Sequence, residues 1–94
     1  MRVNWNGESY EVRQFTTAPG NIKVDDFILY RNDVWRVITV QHNVPRIENL
    51  SHKFHMITLQ NREGKILPAD DIVNPREIAR PVKKFRSVPE RLAS

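Results

Sequence analysis

The sequence predicts an all-β domain: a small barrel or meander of about five strands, preceded by a β-hairpin and followed by a basic C-terminal arm. Three observations carry that expectation. Between residues 24 and 59, three runs rich in β-branched and aromatic residues (24–31, 34–40 and 54–59) are parted by turn-forming residues. Upstream, Asn6-Gly7 joins two stretches in which apolar and polar residues alternate, the strongest short hairpin signal a sequence can carry. The whole net charge of +4 collects at the end: nine Lys/Arg balance nine Asp/Glu through Pro75, and six face two beyond it. A neutral folded body (1–75) carrying a basic, partly ordered arm (76–94) is the organisation this implies.

In the N-terminal hairpin, Val3 and Trp5 alternate with polar neighbours, as do Tyr10 and Val12. A two-stranded ribbon is marginal in water, so this apolar face must lie on the central strands. Pro19-Gly20 marks a loop or tight turn. In the next run Phe27 and Leu29 face one side, Ile28 and Tyr30 the other. Residues 34–40 are likewise apolar on both sides, which suits a curled and covered sheet. A short turn at Asn32-Asp33 separates these two strands. Residues 41–53 are polar, contain Pro45 and sustain no period, so they read as a long loop of the kind that often carries function. Asn61-Arg62-Glu63-Gly64 then makes a tight turn, and residues 68–72 a single 3-10 turn. Residues 78–82 fit a last edge strand, where Pro81 is tolerated. Asn74-Pro75-Arg76-Glu77 and Ser87-Val88-Pro89-Glu90 have helix-capping patterns, each followed by too few residues for a stable isolated helix.

Ninety-four residues make one domain. The chain has no cysteine, hence no disulfide framework, thiolate metal site or thiol nucleophile, and stability must come from apolar burial. No run is long enough to span a membrane, and the first residues lack the apolar core of a secretory signal, so the expected setting is the cytoplasm.

The order of elements is Val-Asp-Asp-Phe-Ile-Leu-Tyr, a short turn, Val-Trp-Arg-Val-Ile-Thr-Val, a long excursion, Phe-His-Met-Ile-Thr-Leu, a Glu-Gly turn, Lys-Ile-Leu, then Pro-Ala-Asp-Asp-Ile-Val. Over residues 23–73 it resembles the small SH3-like barrels, including the KOW and Tudor groups. Two features depart from that pattern: Val24-Asp25 replaces the glycine before the acid, and Asn32-Asp33 stands where KOW domains carry their signature glycine. The resemblance implies a non-catalytic binding module for nucleic acid or protein. A short basic chain with an Asn-Gly hairpin is also similar in style to accessory proteins of bacteriophages.

Enzymatic chemistry finds little support. Asp25 and Asp26 would point to opposite faces of a strand, and Asp70-Asp71 read as turn residues. His52 and His55, three apart, would likewise fall on opposite strand faces; His42, Glu48 and a loop-borne His52 are the conceivable metal set, weighed against plain packing histidines. Ser9, Ser51 and Ser87 lack elbow glycines, and no phosphate-cradling loop exists. No metal, cofactor or small-molecule substrate is expected. Phe27, Trp35 and Phe54 read as core, leaving Tyr30, Tyr10 or Trp5 as a stacking platform.

The functional expectation is nucleic-acid binding, to DNA or RNA with little base specificity. Arg76, Arg80, Lys83, Lys84, Phe85 and Arg86 of the arm, Arg46 of the 41–53 loop, and Tyr30 are the candidate contacts. If about four cations reach phosphates, log K falls with log salt at a slope of about −3.6. The rival is a protein-interaction module, such as a phage factor docking on a host protein or polymerase through its loop or a strand edge. Membrane binding is disfavoured because the arm has no amphipathic period. The oligomeric state is left open.

Overall fold

Asn6 and Gly7 both take positive φ, 47° and 83°, which twists the first two strands into the tight hairpin their dipeptide demands. The computed structural model of the chain describes residues 1–86. Strand β1 (Arg2–Trp5) pairs with β2 (Glu8–Thr17), with Trp5 opposite Glu8. A 3-10 turn at Pro19–Asn21 leads into β3 (Phe27–Tyr30). Arg31 and Asn32, again at positive φ, return the chain into β4 (Asp33–Pro45). There follow β5 (Lys53–Asn61), β6 (Ile66–Pro68) and β7 (Arg76–Arg86). At the β5–β6 turn the Asn61 side-chain oxygen accepts from the amides of Glu63 and Lys65, and Gly64 supplies a φ of 91°.

All seven strands lie antiparallel in one sheet of order β1-β2-β7-β3-β4-β5-β6. The expectation of an all-β chain is met, whereas the sheet is open rather than closed. Its edges are β1 and β6, and β6 is a three-residue strand ending in Pro68, which lacks the amide a further ladder would need.

The largest departure from expectation is β7. Residues 76–86, read from their charge as an arm with at most an edge strand, are a strand hydrogen-bonded on both sides. One neighbour is β2, from Thr17 opposite Arg76 to Glu8 opposite Arg86; the other is β3, through Ile28 opposite Ile78. The sheet therefore runs past Pro75, and a boundary there does not divide the molecule. Pro81 is accommodated at a bulge: Val12 faces Pro81 and Glu11 faces Lys83, so Val82 has no partner. Residues 87–94, which include the second capping pattern, lie outside the described residues.

Residues 41–53 also differ. They are not one loop, because β4 and β5 continue as a paired ribbon to Pro45 opposite Lys53, leaving only 46–52 as the connection. Paired backbone groups need no apolar period, which is why the ribbon is silent in the sequence. The 68–72 segment is a plain turn, with the Ala69 amide donating to the Ile57 carbonyl.

Because both faces of the central strands are apolar, two cores form on opposite sides. Ile28, Tyr30, Trp35, Val37, Ile57, Leu59 and Ile78 pack on one face with Ile22 and Ile72. Phe27 and Ala79 pack on the other with Trp5, Tyr10 and Val12 of the hairpin. The Trp5 and Tyr10 rings lie 5.3 and 5.6 Å from that of Phe27, both tilted. Arg62 ties the hairpin back to the β5–β6 turn by donating to the Asn4 carbonyl at 2.9 and 3.2 Å. Phe27 and Trp35 are thus core as expected, while Phe54 is half-buried beneath Arg46.

The chain's two tyrosines are both buried. Burial, then the hydrogen bond to Glu8, holds the Tyr10 phenol above its ordinary range; for Tyr30 the bond to Asp71 acts first and burial second. Raised folded values mean that this stabilisation is complete below the unfolded value of about 10 and fades as pH rises through the folded ones. Ultraviolet titration should accordingly show both phenols ionising above the ordinary tyrosine range, with stability falling as they do.

Candidate functional site

Directly opposed residues in a sheet share a face, so the ladders of β1, β2 and β7 define what their outer surface presents. Arg2 stands opposite Glu11 and Glu11 opposite Lys83; Asn4 and Ser9 line up with Phe85; Arg13 opposes Arg80. Alternation along β2 puts Glu11, Arg13 and Phe15 on the face away from Tyr10 and Val12. The half-buried Phe85 ring has the Arg2 guanidinium 4.2 Å and the Lys83 ammonium 5.1 Å from its centre. A second ring, Phe15, has Arg13 at 4.9 Å and Arg80 at 5.0 Å. The surface thus interleaves aromatic faces with cations, each held over a ring by the attraction of its quadrupole.

Arg2, Arg13 and Lys83 are exposed, and among the described residues none of them has a carboxylate within 4.0 Å. Glu11 is the one acid in these rows and makes no such pair with its two neighbours. Three cations therefore stay outside any ion pair within that distance, with Glu11 the one acid that offsets them across the strands.

The other expected contacts are committed elsewhere. Arg80 donates from Nε and Nη2 to the two carboxylate oxygens of Asp26, each at 2.9 Å, and from Nη2 to the Asn21 carbonyl at 2.8 Å. Asp26 is 1% exposed, so Arg80 neutralises a buried charge. Lys84 pairs with Glu8 at 2.7 Å, and Glu8 also accepts from the Tyr10 hydroxyl at 2.8 Å. These bonds, Lys84 foremost, hold the Glu8 carboxyl below its usual range. Arg76 lies over the Tyr30 ring at 4.9 Å. Tyr30 itself is buried and donates to Asp71 at 2.6 Å, so it forms no platform; Trp5 and Tyr10 are buried as well. Lys83 and Phe85 belong to the cationic face, Arg86 ends β7 opposite Glu8, and Arg46 caps Phe54 at the far end of the ribbon. Sequence reasoning missed Arg2 and Arg13. The signal was present in the alternation of the N-terminal hairpin, which turns both away from the apolar side, but their distance in sequence from Lys83 concealed that they share its surface.

The metal reading finds no cluster. Among the described residues no three of His, Cys, Asp or Glu converge. His42 and His55 instead contact each other across β4 and β5, while His52 and Glu48 sit exposed in the 46–52 connection. Asp25 lies in a turn at φ 77° and pairs with Arg36 at 3.0 Å, so the 25–26 carboxylates do not act together. Among the described residues no helix is long and apolar enough to cross a membrane.

No family model matches this chain, nor does any curated protein or solved structure.

Proposed function

We propose that this protein is a non-catalytic module that binds the phosphate backbone of DNA or RNA, with little base specificity, through the outer face of β1, β2 and β7. The observation that carries it is a group of three cations without an ion-pair partner among the described residues, Arg2 and Lys83 over the Phe85 ring and Arg13 over the Phe15 ring of the same face. Cations position a polyanion, and an aromatic face accepts any base, so such a surface needs no sequence code. An SH3-like framework accords with the strand order β7-β3-β4-β5-β6, in which the last strand returns beside the first of a four-strand meander. A cytoplasmic setting goes with the cysteine-free composition.

Filter binding at two salt concentrations tests the proposal. With three phosphate contacts the expected slope of log K against log salt is about −2.7 on duplex and about −2.1 on single strands. Absence of binding to any DNA or RNA at low salt overturns it.

Protein docking, including by a phage factor on a host protein, is the second reading, and one observation favours it. At the ribbon's tip Ile47 is 93% and Leu50 72% exposed, an apolar pair with no partner among the described residues. A protein partner lost on substitution of Ile47 and Leu50 by serine, with Arg2, Arg13 and Lys83 intact, would favour docking over nucleic-acid binding.

A further inference from the structure

The β4–β5 ribbon beyond Val40 and Ile57 pairs only with itself, so something other than the sheet must fix its angle to the body. The contact that does so is built from two imidazoles. His42 Nε2 lies 2.8 Å from the Ile22 carbonyl oxygen, and His42 Nδ1 lies 2.9 Å from His55 Nδ1. The rings meet edge to face with centroids 4.8 Å apart. Beneath them the chain closes in at Gly20, where a Cβ would stand 3.3 Å from His55 Cε1. The pair thereby joins β4, β5 and the connector between β2 and β3.

Proton positions follow from the partners. A carbonyl oxygen only accepts, so His42 carries a hydrogen on Nε2. When His42 is neutral its Nδ1 is a bare acceptor, and His55 must donate from its own Nδ1. One added proton is tolerated: His42 then donates from both nitrogens, and His55 accepts at Nδ1. A second proton leaves two N–H groups facing each other at 2.9 Å, and the hydrogen bond becomes a repulsion between like charges.

We infer that His42 and His55 form a proton-operated latch, which fastens the β4–β5 ribbon to the 19–22 connector at neutral pH and releases it when both rings are charged. The surroundings favour release. Arg46 and Lys53 line the same cleft as His55 and add positive charge, opposed there only by Asp70 among the described residues. The connector from Ala18 to Ile22 brings no titratable side chain. Burial first, and the neighbouring His42 second, lower the proton affinity of His55. Its stabilising contribution is therefore complete above the unfolded imidazole value of about 6.5 and is lost as pH falls below it. Release would swing the ribbon tip, with Arg46, Ile47 and Leu50, away from the body without unfolding the sheet, because the main core contains neither histidine.

Nitrogen-15 NMR of the histidine rings and backbone amides of the full chain, from about pH 7.5 to about pH 4.5, tests this across the ordinary imidazole range. The expected result is two linked ring titrations, the second accompanied by displacement of the amide signals of residues 20–22 and 41–44. His42→Gln should shift the titration of His55 upward and abolish that displacement. Independent one-step titrations in the native chain, or amides that stay in place through the second step, overturn the latch. Both outcomes are read on the unsubstituted protein, so the conclusion stands even where a glutamine variant does not fold.

Discussion

Asp26→Ala should lower the folding free energy by about 3–5 kcal/mol, the largest effect expected of a single substitution outside the aromatic and aliphatic cores. The carboxylate is almost wholly withdrawn from water and accepts three hydrogen bonds, two from Arg80 and one at 2.8 Å from the Lys23 amide. Alanine leaves the guanidinium without its counter-charge and the amide without an acceptor, on the strand that joins the two halves of the sheet. Arg80→Ala should cost a similar amount, since it strands the buried carboxylate. The double replacement Asp26→Leu with Arg80→Met should be far milder, because neither charge is then left alone. Urea titration checks this: the midpoint should fall sharply for each single variant with the slope unchanged. Under conditions where Arg80→Ala remains folded, its affinity for nucleic acid should match that of the parent chain, since this guanidinium is turned to Asp26 and not to solvent.

Reversing the charge of Arg2, Arg13 and Lys83 to glutamate should have the opposite profile. All three side chains are exposed, so the fold should survive, with only a modest fall in the thermal midpoint because Arg2→Glu and Lys83→Glu set carboxylates on either side of Glu11. Binding should nearly vanish. Each lost phosphate contact lowers the salt slope by about 0.9 on duplex, so the expected value of about −2.7 collapses toward zero. If each charge-assisted contact contributes on the order of 1 kcal/mol, the affinity at low salt drops by at least about a hundredfold. The pair Arg80→Ala and Arg2→Glu is the sharper comparison, one cation serving the fold and the other the surface. An Arg2/Arg13/Lys83 variant that binds as tightly as the parent, at the same slope, would remove the sheet face from consideration.

Deleting the chain from Arg76 onward would not isolate a basic arm. It would withdraw β7 from between β2 and β3, expose the flanks of Ile28 and Phe15, and leave Asp26 buried without Arg80. Any loss of binding on truncation would therefore report a lost fold, and only substitutions on the surface separate the two roles.

Local chemistry was legible wherever a residue acts on its own backbone. Asn6-Gly7 and Gly64 demanded their turns, the alternation of Val3, Trp5, Tyr10 and Val12 demanded a covered hairpin, and of the three rings expected in the core Phe27 and Trp35 are buried while Phe54 is only half-buried. The all-β class followed from those signals, but the sheet membership of residues 76–86 and of the 41–45 extension of β4 did not. Whether Arg80 meets solvent or a buried aspartate 54 positions away was beyond their reach, as was the gathering of Arg2 and Arg13 beside Lys83. Charge summed along a chain treats every lysine and arginine as equal, whereas a strand sends alternate side chains to opposite faces and lets distant carboxylates cancel some of them. Composition determined that this protein carries excess positive charge; only the pairing of β2 with β7 decided where that charge is left uncancelled, because a register is set by contacts between strands and not within them.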